Sequence, residues 1–321
     1  SSIFFLLTFF ATVSENVQIG GGGNVVYNGP FSIAQTLLIL GFFAIFLVVN
    51  FVASTATRNE SSKMAEILYS KPISPVSYQL GRFFGSFAVV LTVFAFVPLG
   101  IFLGTTLGAA AGWVDVERLG PTVFSHYFTA FFYLSVPTLL VLACIFYAIA
   151  IRFRSMMGVY LSAVALFIGY NVAVQFASEP AYRELAALID PFGYSAFAEV
   201  TRYWTMHEKN NSAIELSGVL LQNRVIWLVA AIAILALFGG FKRGLTLTKV
   251  KAKKAEKSAV NDSFTSALAN RINIKNSPRI NTLAHLKTRT LFEVKQVIFS
   301  APFLILGLIT CFMLMAPLFD P

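Results

Sequence analysis

The chain has 321 residues, of which 57% are hydrophobic and only 12% charged, about half the ~25% charge of a soluble domain. With 33 phenylalanines, this composition excludes water-soluble, disordered, collagen-like and disulfide-stapled proteins and leaves an all-α, polytopic membrane protein. The net charge of +9 would suit nucleic acid, but the meaning of a basic excess depends on where it sits.

The first apolar run, Ser1 to Val13, is too short to cross a bilayer alone. It reads as a first helix truncated by a fragment boundary. Gly20 to Gly23 reads as a flexible outer loop, because a phosphate cradle would open a helix carrying a basic residue. Five longer runs follow, Phe31 to Ala53, Phe83 to Leu107, Tyr127 to Ile151, Met156 to Ala177 and Val225 to Phe241, and another from Val297 to Leu318. Each approaches the ~20 residues of a helical crossing. The run beginning at Val225 is the shortest, and Arg224 just before it is expected to snorkel to the headgroups. Cys144 and Cys311 lie in apolar stretches, where a thiol acts as a small hydrophobe, so no disulfide is expected.

Charge in the loops sets the orientation. Residues 54–82, 152–155 and 242–296 carry 19 of the 24 basic residues and five of the 15 acidic ones. That side is expected to be cytoplasmic. The cluster Lys249, Lys251, Lys253, Lys254 and Lys257 then suits anionic lipid better than nucleic acid. Within these runs there is no Asp, Glu, Lys or Arg, which disfavours a proton-coupled carrier. Gln35, Asn50, Asn171 and Gln175 are expected to make helix-to-helix hydrogen bonds.

In the first cytoplasmic link, Thr57 and Glu60 have the spacing of a capping box, predicting a helix start there. Met64, Ile67 and Leu68 then share one face, Ser62, Lys63 and Glu66 stay polar, and Pro72 and Pro75 stop the helix. The result is an amphipathic interfacial helix, which either rests on lipid or docks a cytosolic partner. With Glu60, Glu66-Ile67-Leu68, Ser70, Pro72-Ile73-Ser74 and Gly81-Arg82, this link resembles that of the membrane subunits of ABC-2 type ABC transporters. Ser61-Ser62 departs from the Gly-Thr of many members. The resemblance implies a type V exporter-like six-helix module. Its coupling helix would use Arg58, Glu60, Lys63, Met64, Glu66, Ile67, Leu68 and Pro72 to engage a separate ATP-binding subunit.

On the outer side, Pro180 to Ile189 places Tyr182, Leu185, Leu188 and Ile189 on an apolar face. The segment is too short to span, so it is expected to be re-entrant or interfacial. Asp190-Pro191-Phe192-Gly193 breaks it. Thr201-Arg202-Tyr203-Trp204-Thr205, Asn210-Asn211, Gly218 and Asn223-Arg224-Val225-Ile226-Trp227 follow. This stretch resembles a branch of the same family in which two outer re-entrant helices close the substrate path. Tyr203, Trp204 and Trp227 also suit interfacial anchoring.

After Phe241 a basic cytoplasmic linker, 242–290, leads to 291–321, where Ser300 to Leu306 parallels Ser1 to Leu7. A first module over 1–241 and the first helix of a second one are therefore expected. Some duplicated permeases of the suspected branch are fused to an M1-family aminopeptidase domain. No Gly-x-x-x-x-Gly-Lys-Ser/Thr run occurs in the sequence, so ATP and Mg would be held by the partner chain, and this chain is expected to have no catalytic, cofactor or metal site of its own. His207-Glu208 lacks the second His of a zinc protease, because position 211 is Asn. Asn210-Asn211-Ser212 matches a glycosylation pattern too short and common to carry a function. The resemblance implies an exporter in a plasma membrane, of the bacterial inner-membrane kind, with a second module or a homodimer partner. A channel or carrier not driven by ATP, and a membrane anchor for a fused peptidase, are the competing readings.

Overall fold

The structure, a computed structural model, describes residues 2–13, 19–61, 74–177 and 180–238. The chain divides into two units, Ser1–Lys242 and Arg243–Pro321, and all described residues belong to the first. They are all-helical, with no strand among them. Among the described residues five helices are long and apolar enough to cross a membrane, consistent with a multi-pass membrane protein. The expected run Val297 to Leu318 lies outside the described residues.

Helix α1, Ser2–Val13, packs on a later helix, not on its sequence neighbour. Helix α2, Pro30–Val48, starts with Pro30 in its first turn, where a missing N–H costs nothing. It passes through a π-helical turn, Val49–Ala53, into α3, Ser54–Ser61. The expected helix start at Thr57 is therefore corrected: the helix runs straight through, and the Thr57 hydroxyl bonds back to the Ala53 and Ser54 carbonyls. No chain break frees the backbone N–H groups that a cap would serve.

Helix α4, Pro75–Phe94, is capped by Ser74 and continues after Ala95 into α5, Phe96–Ala110. Pro98 interrupts the hydrogen-bond ladder just after that junction. Helix α6, Phe124–Ala130, joins α7, Val136–Phe153, through a second π-helical turn, Phe131–Ser135, immediately before Pro137. Arg154, in the left-handed conformation, turns the chain into α8, Met156–Ala177. Three short helices follow, α9 Arg183–Ile189, α10 Tyr194–Val200 and α11 Met206–Asn211, before the last described span, α12 Gly218–Phe238.

Burial separates the spans by role. The windows in Pro30–Arg58 and Phe124–Phe153 are 67% and 72% buried, against 11% for Met156–Val174 and 22% for Gly218–Phe238. The α2 and α6–α7 helices therefore form the centre, and α8 and α12 present apolar side chains outward. Lipid tails are as apolar as leucine, so cohesion here comes from close packing and hydrogen bonds more than from expelled water. Tyr147, Phe83, Phe94 and Phe146 fill the interior. Helix α1 reaches α5 along Gly100, Gly104 and Gly108. A Cβ at Gly100 would collide with Thr8 and with the Phe5 carbonyl, and one at Gly104 would lie 2.9 Å from Thr12 Cβ. Small residues every four positions let two backbones approach this way in membranes.

Of the four polar residues expected to bridge helices, Gln35 accepts from the Gly21 N–H, a contact between helix and loop. Asn50 and Asn171 bond back to their own helices, at Phe46 and Phe167, since each side chain is exposed and meets no neighbouring helix. Gln175's side chain lies outside the described residues. The glycine loop is pinned, contrary to expectation, with Ser32 donating to the Gly20 carbonyl and Arg118 to that of Gly23. Asn28 exchanges two 2.7 Å hydrogen bonds with Gly120, tying the two outer loops together.

Candidate functional site

The segment expected to lie on the outer side assembles around the turn Asp190–Gly193, as its Pro and Gly residues predict. Helix α9 ends at Asp190, and Gly193, at φ +74°, starts α10. The Asp190 carboxylate receives three donors: the Phe192 N–H at 2.8 Å, the Ser195 N–H at 2.7 Å and the Tyr170 hydroxyl at 3.3 Å. Because the Phe192 N–H is taken by that carboxylate, it is lost to the Leu188 carbonyl, its regular helical partner. Pro191 has no N–H to offer the Ala187 carbonyl. Two acceptors, the buried one of Ala187 and the partly buried one of Leu188, thereby lose their helical donors at the end of α9.

Asn223, on α12, supplies what they lack. Its amide nitrogen directs its two protons to the Ala187 and Asp190 carbonyls at 2.8 Å each, and the Leu188 carbonyl, at 3.2 Å, shares one of them. The neighbouring Arg224 donates to the Phe192 carbonyl at 3.0 Å and to the Thr138 hydroxyl of α7 at 3.1 Å. Arg224 is only 3% exposed and Asn223 fully buried. The expected snorkelling of Arg224 is thus corrected: the helix begins at Gly218, placing the arginine inside a candidate span, and the turn supplies its acceptors. The statement that no charged residue lies within a span is corrected with it.

Gly193 makes room for the guanidinium, since a Cβ there would overlap it. Phe192, 1% exposed, forms a three-ring cluster with Phe42 of α2 and Tyr170 of α8, their ring centroids 4.5 and 4.8 Å from its own and 4.7 Å from each other. Four spans therefore touch the one turn. The inward side of α9 carries Ala187, fully buried, whose small size lets Asn223 reach the backbone. Tyr182, Leu185 and Ile189 point outward and are exposed.

Among the other expected outer residues, Tyr203 is 82% exposed, which suits an interfacial anchor, whereas Trp204 and Trp227 are partly buried against the core. Trp204 closes the turn after α10 through its N–H to the Thr201 carbonyl. His207-Glu208 opens α11: Thr205 and Glu208 form a capping box, and these bonds hold the Glu208 carboxyl below its ordinary pKa. Asn210 bonds to Val26 and Asn24 of the glycine loop.

At the other end, Arg58 and Glu60 lie in α3, while Lys63, Met64, Glu66, Ile67, Leu68 and Pro72 lie outside the described residues. Sequence reasoning missed Thr138 and Tyr170, and it named Asn223 without its role. The available signal was a paired Asn-Arg one turn into an apolar helix, in a chain whose other runs carry no charge. Among the described residues no three His, Cys, Asp or Glu side chains gather to hold a metal. No family model matches this chain, and neither a curated protein nor a solved structure matches it.

Proposed function

We propose that the chain is the membrane subunit of an ABC-2 type transporter, an exporter of a bacterial plasma membrane. It lines the translocation path and couples to a separate ATPase that holds ATP and Mg. The observation that carries this reading is the outer helical pair, α9 and α10, folded back between α8 and α12 and fixed to four spans by one polar turn. A pair of short helices in that position is what the family resemblance implies for the outer closure of the path.

The cytoplasmic side adds support. The central span continues as a polar helix through Arg58 to Ser61. At 1.5 Å per residue, the 29 residues of Pro30–Arg58 extend about 43 Å, beyond the ~30 Å hydrocarbon core. That length fits a reading in which Arg58 lies past the membrane surface, with the amphipathic stretch Lys63 to Leu68 following it in sequence. In this reading Met64, Ile67 and Leu68 seat in the ATPase, while Arg58, Glu60, Lys63 and Glu66 frame the contact and Pro72 ends it. The path is completed by a second module or a second copy.

Met64→Asp tests the coupling. It places a charge on the apolar face and should abolish stimulation of the partner's ATP hydrolysis while leaving membrane insertion intact. Normal stimulation in this variant would refute the coupling assignment.

A further inference from the structure

The polar turn bears on how an outer closure can move. A lid that swings open needs a hinge and weak contacts, but here the turn between α9 and α10 is held on every side. Asn223 satisfies the carbonyls that Pro191 and Asp190 leave without helical donors. Arg224 joins the Phe192 carbonyl to Thr138 of α7, and the one Thr138 hydroxyl proton is shared between the Leu134 carbonyl at 2.8 Å and the Phe192 carbonyl at 3.0 Å. Detaching the turn would expose these acceptors and a buried guanidinium to an apolar surrounding, where unsatisfied polar groups are costly.

We infer that Asn223 and Arg224 form a clamp that makes the outer helical pair a rigid extension of α7 and α12, so that the outer end opens by movement of whole spans and the pair never hinges alone. Its meaning for transport rests on the reading proposed above; the rigidity itself does not. Arg224 and Asn223 are positioning residues, acting through the turn they hold.

The test is a spin-label distance measurement on the full chain in lipid nanodiscs, with Cys144→Ala and Cys311→Ser removing the native thiols. Labels go on Leu185 of α9 and Leu237 of α12, both exposed. Leu237 lies fourteen residues beyond Asn223, roughly 21 Å of helix rise, which keeps the pair in a measurable range. A second pair, Phe132 with Leu237, reports the spans themselves. The clamp predicts one narrow distance for both pairs in the native chain. Arg224→Lys keeps the charge and loses the fork. It should add a second, detached population to the Leu185 pair alone, shifted on the order of tenfold, the scale of one charge-assisted hydrogen bond. If Arg224→Lys disturbs the Phe132 pair, Thr138→Val, which keeps the arginine, is read in its place with the same expectation. Two resolved distances for the native Leu185 pair, or a single unchanged distance in the variant, would overturn the clamp. Neither measurement involves nucleotide, so failure here leaves the transporter reading standing, and loss of that reading leaves the clamp standing.

Discussion

Replacing Asn223 with Leu should destabilise the protein more than replacing Arg224 with Met, although arginine carries the charge and the longer side chain. Arg224 makes two hydrogen bonds, each worth ~1.5–3 kcal/mol because the donor is ionised. Against them stands the cost of burying the guanidinium at 3% exposure, several kcal/mol for an ion taken from water. Methionine removes both terms, and the Phe192 carbonyl keeps a share of the Thr138 hydroxyl proton, which the Leu134 carbonyl also accepts. The net loss should be about 0–3 kcal/mol. Leucine at 223 fills a similar volume but strips the only side-chain donor from Ala187 and Leu188, whose helical partners are already absent. The two carbonyls left unpaired cost ~1–3 kcal/mol each, about 2–6 together, and leucine recovers ~1 kcal/mol by removing the buried Asn223 Oδ1, which has no partner, so the loss should be about 1–5 kcal/mol. Thermal unfolding followed by tryptophan fluorescence in nanodiscs resolves the order, at roughly 2–4 °C per kcal/mol for a domain of this size. A larger Tm drop for Arg224→Met would refute the reasoning, because it would mean that the guanidinium contacts far exceed their desolvation cost.

Gly193→Ala and Gly112→Ala form a matched pair at φ +74° and +72°: both carry the left-handed strain of ~1–2 kcal/mol, but only at Gly193 does the new Cβ meet Arg224. The Tm loss at 193 should exceed that at 112, and equal losses would contradict the close packing of the guanidinium. Gly104→Val should free α1 from α5, because a Cβ there already lies 2.9 Å from Thr12 and 3.1 Å from the Phe9 carbonyl; protease sensitivity of the N-terminal helix should rise, while spectra of the remaining helices stay unchanged. The depressed Glu208 pKa means that its capping contribution is present above the unfolded-state value and is lost as pH falls through the folded one. Protection of the α11 amides, relative to their intrinsic exchange at each pH, should therefore fall in acid below the ordinary glutamate range, and Glu208→Gln should remove that pH dependence.

Long apolar runs located the spans because a membrane helix announces itself by length and hydropathy alone, with no need to know its neighbours. The break at Asp190–Gly193 was equally local, since proline removes a donor and Gly193 takes a positive φ. What escaped is what depends on distant partners. Arg224 meets Thr138 86 residues away and Phe192 32 residues away, and nothing in the sequence around it distinguishes a clamped arginine from a snorkelling one. Thr57 and Glu60 have capping spacing, but the signal presumes a chain break that the π turn at Val49–Ala53 and the continuing helix do not provide. Gly100, Gly104 and Gly108, spaced four apart in an apolar helix, carry a packing signal that sequence reasoning missed, and nothing local names their partner, which meets them through Thr8 and Thr12, 92 positions earlier in the chain.

The central claim is that this chain works with a separate ATPase, and identification of its stoichiometric partners tests that most directly. The complete protein, taken from its native membrane in mild detergent, should carry one companion whose sequence contains the Gly-x-x-x-x-Gly-Lys-Ser/Thr phosphate loop, and Met64→Asp should release it. Recovery of an intact, active protein with no ATP-binding companion would contradict the account.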